Sequence, residues 1–267
     1  MQLIIILERW DLLEVILEYP SIPLDSIDEY QNNIMHYLAL QGKDDILGRM
    51  LNLQVNIMQK NFQGDEPLHT CMYTDSLECF IGILNKCGRP EAHEEFIISK
   101  KNNKNENCLT LSILHRAYRI FRYCLGIMKK LEYLDENQKY PLNYIIDANN
   151  YEFLEAYLAC NPNLKVVNSN KENVLFYCLR HNKTSFFKVA YDLNKKLLQH
   201  FDEDTLFNKS KEGQTVLHAA AMFGNLTATR LLMEYNMDVA EVDTKGKTAL
   251  DYAKAHPDVY DFLLADK

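Results

Sequence analysis

The sequence of 267 residues predicts an all-α fold made of about seven repeated helix-turn-helix units. The first observation is a column of leucines, with one methionine, that returns mostly at an interval of 33 residues: Met35, Leu68, Leu109, Leu142, Leu175, Leu217 and Leu250. The second is that mostly apolar residues recur twelve and sixteen positions after these leucines, as on the buried face of a second helix. A fixed period of this size predicts a stack in which each unit packs on its neighbours.

Two enlarged connections interrupt the period, because the intervals along the leucine column are 33, 41, 33, 33, 42 and 33 residues. The first insert lies near 88–101, where Pro90 blocks continuation of the preceding helix and residues 92–98 are predicted to form an extra helical turn. The second lies near 193–207 and has the apolar spacing of a lengthened helix. Inserts in repeat stacks often belong to a binding face. A neutral insertion that only repacks is the alternative.

The elements follow in order along a single predicted domain, 1–267. Residues 1–20 are predicted to form a helix that covers the N-terminal end of the stack, since a terminal repeat otherwise exposes its apolar face. The repeats are expected near 28–60, 61–101, 102–134, 135–167, 168–209, 210–242 and 243–267. Their first helices are expected to begin near Asn33, Glu66, Asn107, Tyr140, Asn173, Thr215 and Thr248.

The turn before each first helix is less uniform than the helices. Four residues before the leucine stands Gly64, Gly213 or Gly246, but Gln138 and Lys171 occupy this place in two central repeats. Because Gln and Lys adopt a positive φ only at a cost, we expect the central turns to be irregular. Seven positions after the leucine, five of seven residues are Gly, Asn or Asp, which tolerate the left-handed conformation that ends a helix.

The most specific motif is Gly-x-Thr-x-Leu-His-x-Ala-Ala at 213–221, repeated 33 residues later with Asp251 in place of the histidine. Pro67-Leu68-His69 is a weaker copy. This pattern resembles the ankyrin-repeat family over nearly the whole chain. The resemblance implies a curved solenoid of helix pairs, in which the histidine after the leucine bonds between repeats. Three histidines occupy that place: His36, His69 and His218.

In the ankyrin family the binding surface is generally the concave side, made from fingertips and first helices. Carried over to this sequence, the resemblance implies a set of partner contacts at fingertips and first-helix ends. The candidates are Tyr30, Phe62, Tyr73, Lys104, Leu114, His115, Arg180, His181, Lys211, Met222 and Phe223. Aromatic residues and Met at such normally polar places are typical of binding hot spots. The alternative is that some of these side chains fold back onto the stack.

Composition and charge narrow the class of function. A net charge of −8 disfavours nonspecific binding to nucleic acids or anionic membranes, which requires basic surfaces. No stretch approaches the length of a membrane span, and the short apolar run near the N-terminus lacks the basic leader of a signal peptide. We therefore expect a soluble, cytoplasmic and monomeric chain.

The cysteines do not indicate a metal or cofactor site. Seven is an odd number without paired spacing, which favours a reducing compartment over a disulfide framework. Zinc sites require close ligand pairs, and none is present in the sequence. Cys71 and Cys178 fall in the column of small residues and are interpreted as buried. A catalytic pair of Cys178 with His181 is the remaining alternative.

These observations favour a non-catalytic module that binds another protein, without a cofactor. Degenerate repeats with no other domain also resemble effectors that intracellular bacteria deliver into host cells, which would place the chain in the host-cell cytoplasm. Two alternatives stay open. One is an enzyme or enzyme regulator that acts through the inserted segments. The other is a structural adaptor that dimerises through an exposed insert.

Overall fold

The computed structural model describes residues 9, 12, 13, 15, 24–53, 55–181 and 206–265. The chain forms two compact units, Met1–Lys130 and Leu131–Lys267. Across the described residues the regular elements are helices, and β pairing is limited to two isolated bridges, Lys101 with Asn107 and Val242 with Thr248. The all-α prediction is therefore confirmed.

Between residues 24 and 130, the described part of the first unit contains three helix pairs and one additional helix. Its helices are α1 (Ile34–Leu40), α2 (Asp44–Met50), α3 (Pro67–Thr70, continued by a 3₁₀ turn at Cys71–Tyr73), α4 (Leu77–Cys87), α5 (His93–Ser99), α6 (Cys108–Leu114) and α7 (Tyr118–Ile127). Helix α5 lies in the first insert, is preceded by a 3₁₀ turn at Pro90–Ala92, and packs on α4, α6 and α7. The predicted extra helical turn is present at this insert.

The described part of the second unit contains three helix pairs of the same kind. Its helices are α8 (Pro141–Ala148), α9 (Tyr151–Leu158), α10 (Val174–Arg180), α11 (Val216–Met222), α12 (Leu226–Met233), α13 (Ala249–Ala253) and α14 (Pro257–Ala265). The second insert, near 193–207, lies outside the described residues except for Leu206 and Phe207. The predicted N-terminal cap also lies largely outside them, although Leu12, Leu13 and Val15 are helical and Leu13 is buried.

Each first helix begins where the repeat period predicts. The predicted starting residues are the N-caps: Asn33, Glu66, Asn107, Tyr140, Asn173, Thr215 and Thr248. Asn and Thr side chains accept hydrogen bonds from free backbone N–H groups, as at Thr215, which accepts from the His218 N–H. Glu66 and Tyr140 are instead followed by proline, which lacks an N–H and is preorganised for the first helical position.

The core consists of the predicted columns. The leucine column is buried from Met35 to Leu217, and only Leu250 of the last repeat is half-buried. The small-residue column three positions later is buried throughout, from Leu38 to Ala253. The second helices add fully buried side chains such as Phe80 and Phe121. Each described helix pair therefore buries one face of both helices against neighbouring helices.

Candidate protein-binding surface

Before each first helix, five residues form a closed turn that we call a finger. The first residue of each finger is Asp28, Asn61, Asn102, Asp135, Asn168, Ser210 or Asp243. Its side-chain oxygen accepts a hydrogen bond from the backbone N–H four residues later, with distances of 2.7 to 3.2 Å. Its backbone N–H donates to the carbonyl of that same residue. Every finger is therefore closed at its base by the same two bonds.

The sequence-based prediction did not include this column of Asp, Asn and Ser. The column lies seven residues before the leucine column and returns at the same intervals. The signal was available, because these residue types bond to the backbone two to four residues later and so close turns. Three members are aspartates, and each of these has a tyrosine nine positions later. Those tyrosines donate hydrogen bonds back to the aspartates: Tyr37 to Asp28, Tyr144 to Asp135 and Tyr252 to Asp243.

The expectation of irregular central fingers is wrong. Gln31, Gln138 and Lys171 adopt φ of 62°, 59° and 57°, close to the 70° of Gly246 at the equivalent place. The two bonds at the base of the finger fix the turn and force these residues into the left-handed region, despite a cost of about 1–2 kcal/mol each.

Neighbouring fingers are joined by backbone hydrogen bonds in both units. In the first unit, the Phe62 N–H donates to the Tyr30 carbonyl and the Asn103 N–H donates to the Gln63 carbonyl, each at 3.0 Å. In the second unit, the Lys211 N–H donates to the Asn170 carbonyl and the Thr244 N–H to the Glu212 carbonyl. The fingertips therefore form preformed rows whose spacing is fixed by the backbone.

The fingertip row of the first unit is aromatic. Tyr30 and Phe62 are each 60% exposed at adjacent fingertips. Tyr73, near the end of the second repeat's first helix, is exposed, and its ring lies 4.2 Å from the ring of His115. Leu114 and Lys104 of the third repeat are also exposed. All six contact candidates predicted in this unit therefore lie on the surface.

A hydrogen bond to a buried carboxylate holds Tyr73 in place. Its hydroxyl donates to Asp65 Oδ2 at 2.9 Å, and Asp65 is fully buried. Burial of Tyr73, followed by the charge of Asp65, raises the pKa of the phenol well above its usual 10. Burial also lowers the pKa of His115. Tyr73 and His115 therefore present one neutral aromatic pair near neutral pH.

A groove of about 280 Å³ opens between the first helices of the first two repeats. It is lined by Asn32, His36, Tyr37, Leu40, Asn61, Gln63, Thr70 and Tyr73. Aromatic and aliphatic surface from Tyr37, Leu40 and Tyr73 forms its walls, with polar groups of the finger beside them. The groove thus adjoins the exposed fingertips and combines apolar walls with a few fixed polar atoms, as small binding sites generally do.

The candidates of the second unit form a more polar surface. Arg180 is exposed and makes an ion pair with Glu172, and the exposed His181 lies with its ring 4.3 Å from that of Tyr177. Lys211 and Phe223 are exposed, whereas Met222 is half-buried. Met222 also accepts a hydrogen bond through its carbonyl from His256 Nε2 at 3.1 Å.

A hydrogen-bond network around the half-buried Asp147 lies beside these second-unit residues. Asp147 accepts from the hydroxyl of Tyr177 at 2.6 Å and pairs with Lys139 Nζ at 2.8 Å. The Lys139 ammonium also lies 5.1 Å from the ring centroid of Tyr144. All of these partners lie within the second unit. The contacts therefore fix the side chains of Asp147 and Tyr177 in the first helices of two successive repeats.

Two of the three column histidines bond between repeats, as the family resemblance implied. His36 Nε2 lies 3.0 Å from the carbonyl of Asp65, and His218 Nε2 lies 3.1 Å from that of Lys247. His69 Nε2 instead lies 3.1 Å from the carbonyl of Lys100, at the end of the first insert. Their Nδ1 atoms accept from the N-cap backbone, so both ring nitrogens have structural roles.

Comparison with known proteins identifies the repeat. A family model described as ankyrin repeats in three copies matches residues 187–267. The chain is 25% identical over 170 residues to the putative ankyrin repeat protein FPV230 of fowlpox virus (strain NVSL), covering 57% of this chain and 88% of that protein. The solved human ASB11 ankyrin repeat domain matches with a TM-score of 0.64 and 20% identity, over 88% of this chain and 98% of that chain. Residues 187–267 therefore match the ankyrin-repeat family, and the fold of the chain resembles solved ankyrin repeat domains.

A second solved structure supports the same fold. The ankyrin repeat domain of Bcl-3 matches with a TM-score of 0.53 and 13% identity, over 95% of this chain and 90% of that chain. At these identities the solved structures show the fold alone. Ankyrin repeats in general serve as protein–protein interaction modules, which agrees with the class of function predicted from the sequence.

The proposed thiol pair has no geometry that favours catalysis. Cys178 is fully buried in the small-residue column of its repeat, while His181 is exposed beyond the end of the helix. All seven cysteines are free thiols, and burial raises the pKa of Cys71 and Cys108 well above 9. Among the described residues, no group of three or more His, Cys, Asp or Glu side chains is placed to hold a metal ion.

No helix in the described part of the chain is long and apolar enough to cross a membrane.

Proposed function

We propose that this chain is a non-catalytic module that binds a partner protein on the surface of its fingertips and first-helix ends. The family resemblance assigns that surface to the concave side of the stack. The observation that carries the proposal is the pair Tyr30 and Phe62, which are each 60% exposed on adjacent fingertips joined by a backbone hydrogen bond. Large aromatic side chains held rigidly at the surface lose little entropy on binding.

The polar candidates complete the proposed interface. Lys104, His115, Arg180, His181 and Lys211 are exposed beside or along the fingertip rows. Charged and polar groups at an interface rim mainly set orientation and the rate of association. Leu114, Met222 and Phe223 add apolar area at the first-helix ends. The proposal includes a monomeric chain without a cofactor.

The proposed partner is a protein, and neither a nucleic acid nor a membrane. The net charge of −8 opposes attraction to phosphate backbones and anionic lipids. The apolar fingertips instead match the aromatic and aliphatic anchors of protein interfaces.

The test is an affinity capture from eukaryotic cell lysate with the purified chain, quantified by mass spectrometry. A Tyr30→Ala/Phe62→Ala double variant removes the proposed anchors, and Tyr151→Ala serves as control because Tyr151 is an exposed aromatic at the start of a second helix. We expect the double variant to lose the captured protein, since hot-spot side chains contribute about 2 kcal/mol or more each. Capture that is equal for the native chain and the double variant would contradict the proposal.

A finer part of the proposal concerns location. We propose that the chain acts in the cytoplasm of a host cell, as an effector. Its seven free cysteines are compatible with a reducing compartment, and its curated relative belongs to a virus, which multiplies inside cells. Immunoblotting of fractionated host cells should find the native chain in the host cytosol. Detection only within the source organism would argue against delivery.

A further inference from the structure

The groove beside the fingertips of the first unit is large enough for a side chain of a partner. Its volume of about 280 Å³ far exceeds the roughly 10–15 Å³ that one buried water requires. The groove is open to solvent beside Leu40 and Tyr73, which are 40% and 38% exposed. Its hydrogen-bonding groups therefore determine what kind of side chain it accepts.

Both tyrosine hydroxyls in the groove donate their hydrogen bonds to carboxylates. Tyr37 donates to Asp28, and Tyr73 donates to Asp65 Oδ2 at 2.9 Å. A hydroxyl has one hydrogen and two lone pairs, so each phenol oxygen is left able to accept but not to donate. The carboxylate behind each ring also increases the electron density on that oxygen, because hydrogen bonds in a chain polarise one another.

Several of the remaining donors of the groove are also used within the protein. The backbone N–H of Asn33 donates to His36 Nδ1, which leaves the hydrogen on Nε2 to bond the Asp65 carbonyl. The Thr70 hydroxyl donates to the Pro67 carbonyl at 2.8 Å. The Asn61 amide donates to the side-chain oxygen of its neighbour Asn32 at 3.0 Å.

Gln63 contributes a further acceptor. Its Oε1 lies 3.4 Å from the Tyr73 oxygen, but the hydroxyl hydrogen is better placed for the shorter contact to Asp65. Apart from the amide nitrogens of Gln63, Asn61 and Asn32, the groove presents oxygen acceptors on aromatic walls. A ligand group that suits it must be rich in donors and able to stack on a ring.

Negative charge lies directly behind the groove wall. Asp65 is fully buried, and its Oδ1 has no hydrogen-bond partner among the described residues. Burial lowers the pKa of His36, so this ring brings no compensating charge near neutral pH. Two lysines of the same unit bond elsewhere: Lys100 pairs with Glu66 at 3.3 Å, and Lys60 donates to the Lys101 carbonyl. The wall thus favours a cation.

We propose that this groove binds the guanidinium group of an arginine in a basic segment of the partner protein. The guanidinium is planar, carries five donors and no acceptor, and stacks on aromatic faces. It therefore matches a groove of tyrosine walls and acceptor oxygens backed by two carboxylates. The assignment rests on the proposed function, because it names the partner chemistry for the same surface.

The experiment is a selection of random 12-residue peptides displayed on phage, with the full chain as target. Selected peptides are synthesised, and their affinities are measured by fluorescence anisotropy. Each arginine is then replaced in turn by lysine and by citrulline, a neutral group of nearly the same shape. On the protein side, Gln63→Leu and Tyr37→Phe remove acceptors from the groove. Tyr252→Phe is the matched control, since it removes the equivalent tyrosine–aspartate bond in the other unit.

We expect the selected peptides to share an arginine whose replacement by citrulline weakens binding about tenfold or more, as for hydrogen bonds to charged groups. Gln63→Leu and Tyr37→Phe should weaken binding several-fold, and Tyr252→Phe should leave it unchanged. Peptides that lose binding to the Tyr30→Ala/Phe62→Ala variant but tolerate citrulline or lysine would overturn the guanidinium assignment and leave the protein-binding proposal standing. If no peptide distinguishes the native chain from that double variant, the fingertip surface itself is refuted as the binding site.

Discussion

Two glycines at equivalent places in their fingers should respond differently to alanine. Gly64 and Gly246 both lie in the left-handed region, with φ of 77° and 70°. An alanine there pays the conformational penalty of an L-residue, about 1–2 kcal/mol. A Cβ on Gly246 would have no heavy atom within 4 Å, so this penalty is the whole expected effect of Gly246→Ala.

Gly64→Ala should destabilise its unit by more than Gly246→Ala destabilises the other unit, because the new Cβ clashes with the next finger. A Cβ on Gly64 would lie 2.6 Å from the backbone nitrogen of Asn103 and 2.3 Å from its Oδ1. Moving Asn103 away strains its bonds to the carbonyls of Gln63 and Phe62, both 3.0 Å long. At about 0.5–1.5 kcal/mol net for each bond, the total expected for Gly64→Ala is about 2–5 kcal/mol.

Hydrogen exchange followed by mass spectrometry separates the two effects, and urea unfolding followed by circular dichroism gives the size of each. Gly64→Ala should speed exchange both in its own finger, 61–65, and in the next finger, 102–106. Gly246→Ala should speed exchange only in its own finger, 243–247. Equal destabilisation by the two variants, or unchanged protection of 102–106 in Gly64→Ala, would refute the claim that neighbouring fingers support one another.

Four further outcomes are expected. Lys171→Gly should stabilise the second unit by up to about 1 kcal/mol in urea unfolding. Glycine removes the cost of the left-handed conformation, but it loses more chain entropy on folding, so the two effects partly cancel. A destabilised variant would contradict this. Burial lowers the pKa of His36 and His69 below 6.5, so below that pH the unfolded chain takes up protons that the folded chain excludes. Stability should therefore fall as the pH drops from about 6.5, and a flat profile in urea unfolding between about pH 7.5 and 5.5 would argue against it. Burial and the hydrogen bond to Asp28 raise the pKa of Tyr37 to about 12. When the native chain is titrated with base and followed by absorbance at 295 nm, one phenol should ionise with this pKa, and Tyr37→Phe should lack that step. Cys160, the exposed thiol, should react first with a thiol reagent in the native chain, and a Cys160→Ser variant that keeps the fast phase would contradict the assignment.

The repeat period and simple capping rules were enough to place the helices. Asn33, Asn107 and Thr215 are N-caps because short polar side chains accept hydrogen bonds from free N–H groups, and this preference is local in sequence. The extra helix after Pro90 was predictable for the same reason, since proline interrupts one helix and suits the first turn of the next.

The finger geometry was not predictable from the residue at the turn alone. Gln138 and Lys171 have little preference for a positive φ, yet they adopt it because bonds from Asp135 and Asn168 close the finger around them. Intrinsic preference of one residue was overridden by its neighbours, three positions earlier. A search for a second recurrent polar column would have predicted the regular fingers.

Surface exposure of the candidate contacts was predictable, but their surroundings were not. Tyr30 and Phe62 lie at the tips because the repeat assigns them there. The groove depends on contacts between repeats, such as the bond from Tyr73 to the buried Asp65, and no single repeat contains the information for it. The acceptor character of the groove follows only once each hydrogen-bond donor has been traced to its partner.

The first insert has a consequence for how such a chain can be altered. The interval across it is 41 residues instead of 33, yet Asn103 still donates to the Gln63 carbonyl at 3.0 Å. The added length is absorbed by helix α5, where Ile97 is buried and the Phe96 ring packs against Gly88. The sequences of the fingertips and of the outer connections can therefore change independently of one another during evolution. For the experimenter, a reporter tag introduced at 89–92 offers a way to label the molecule while its proposed recognition surface stays intact.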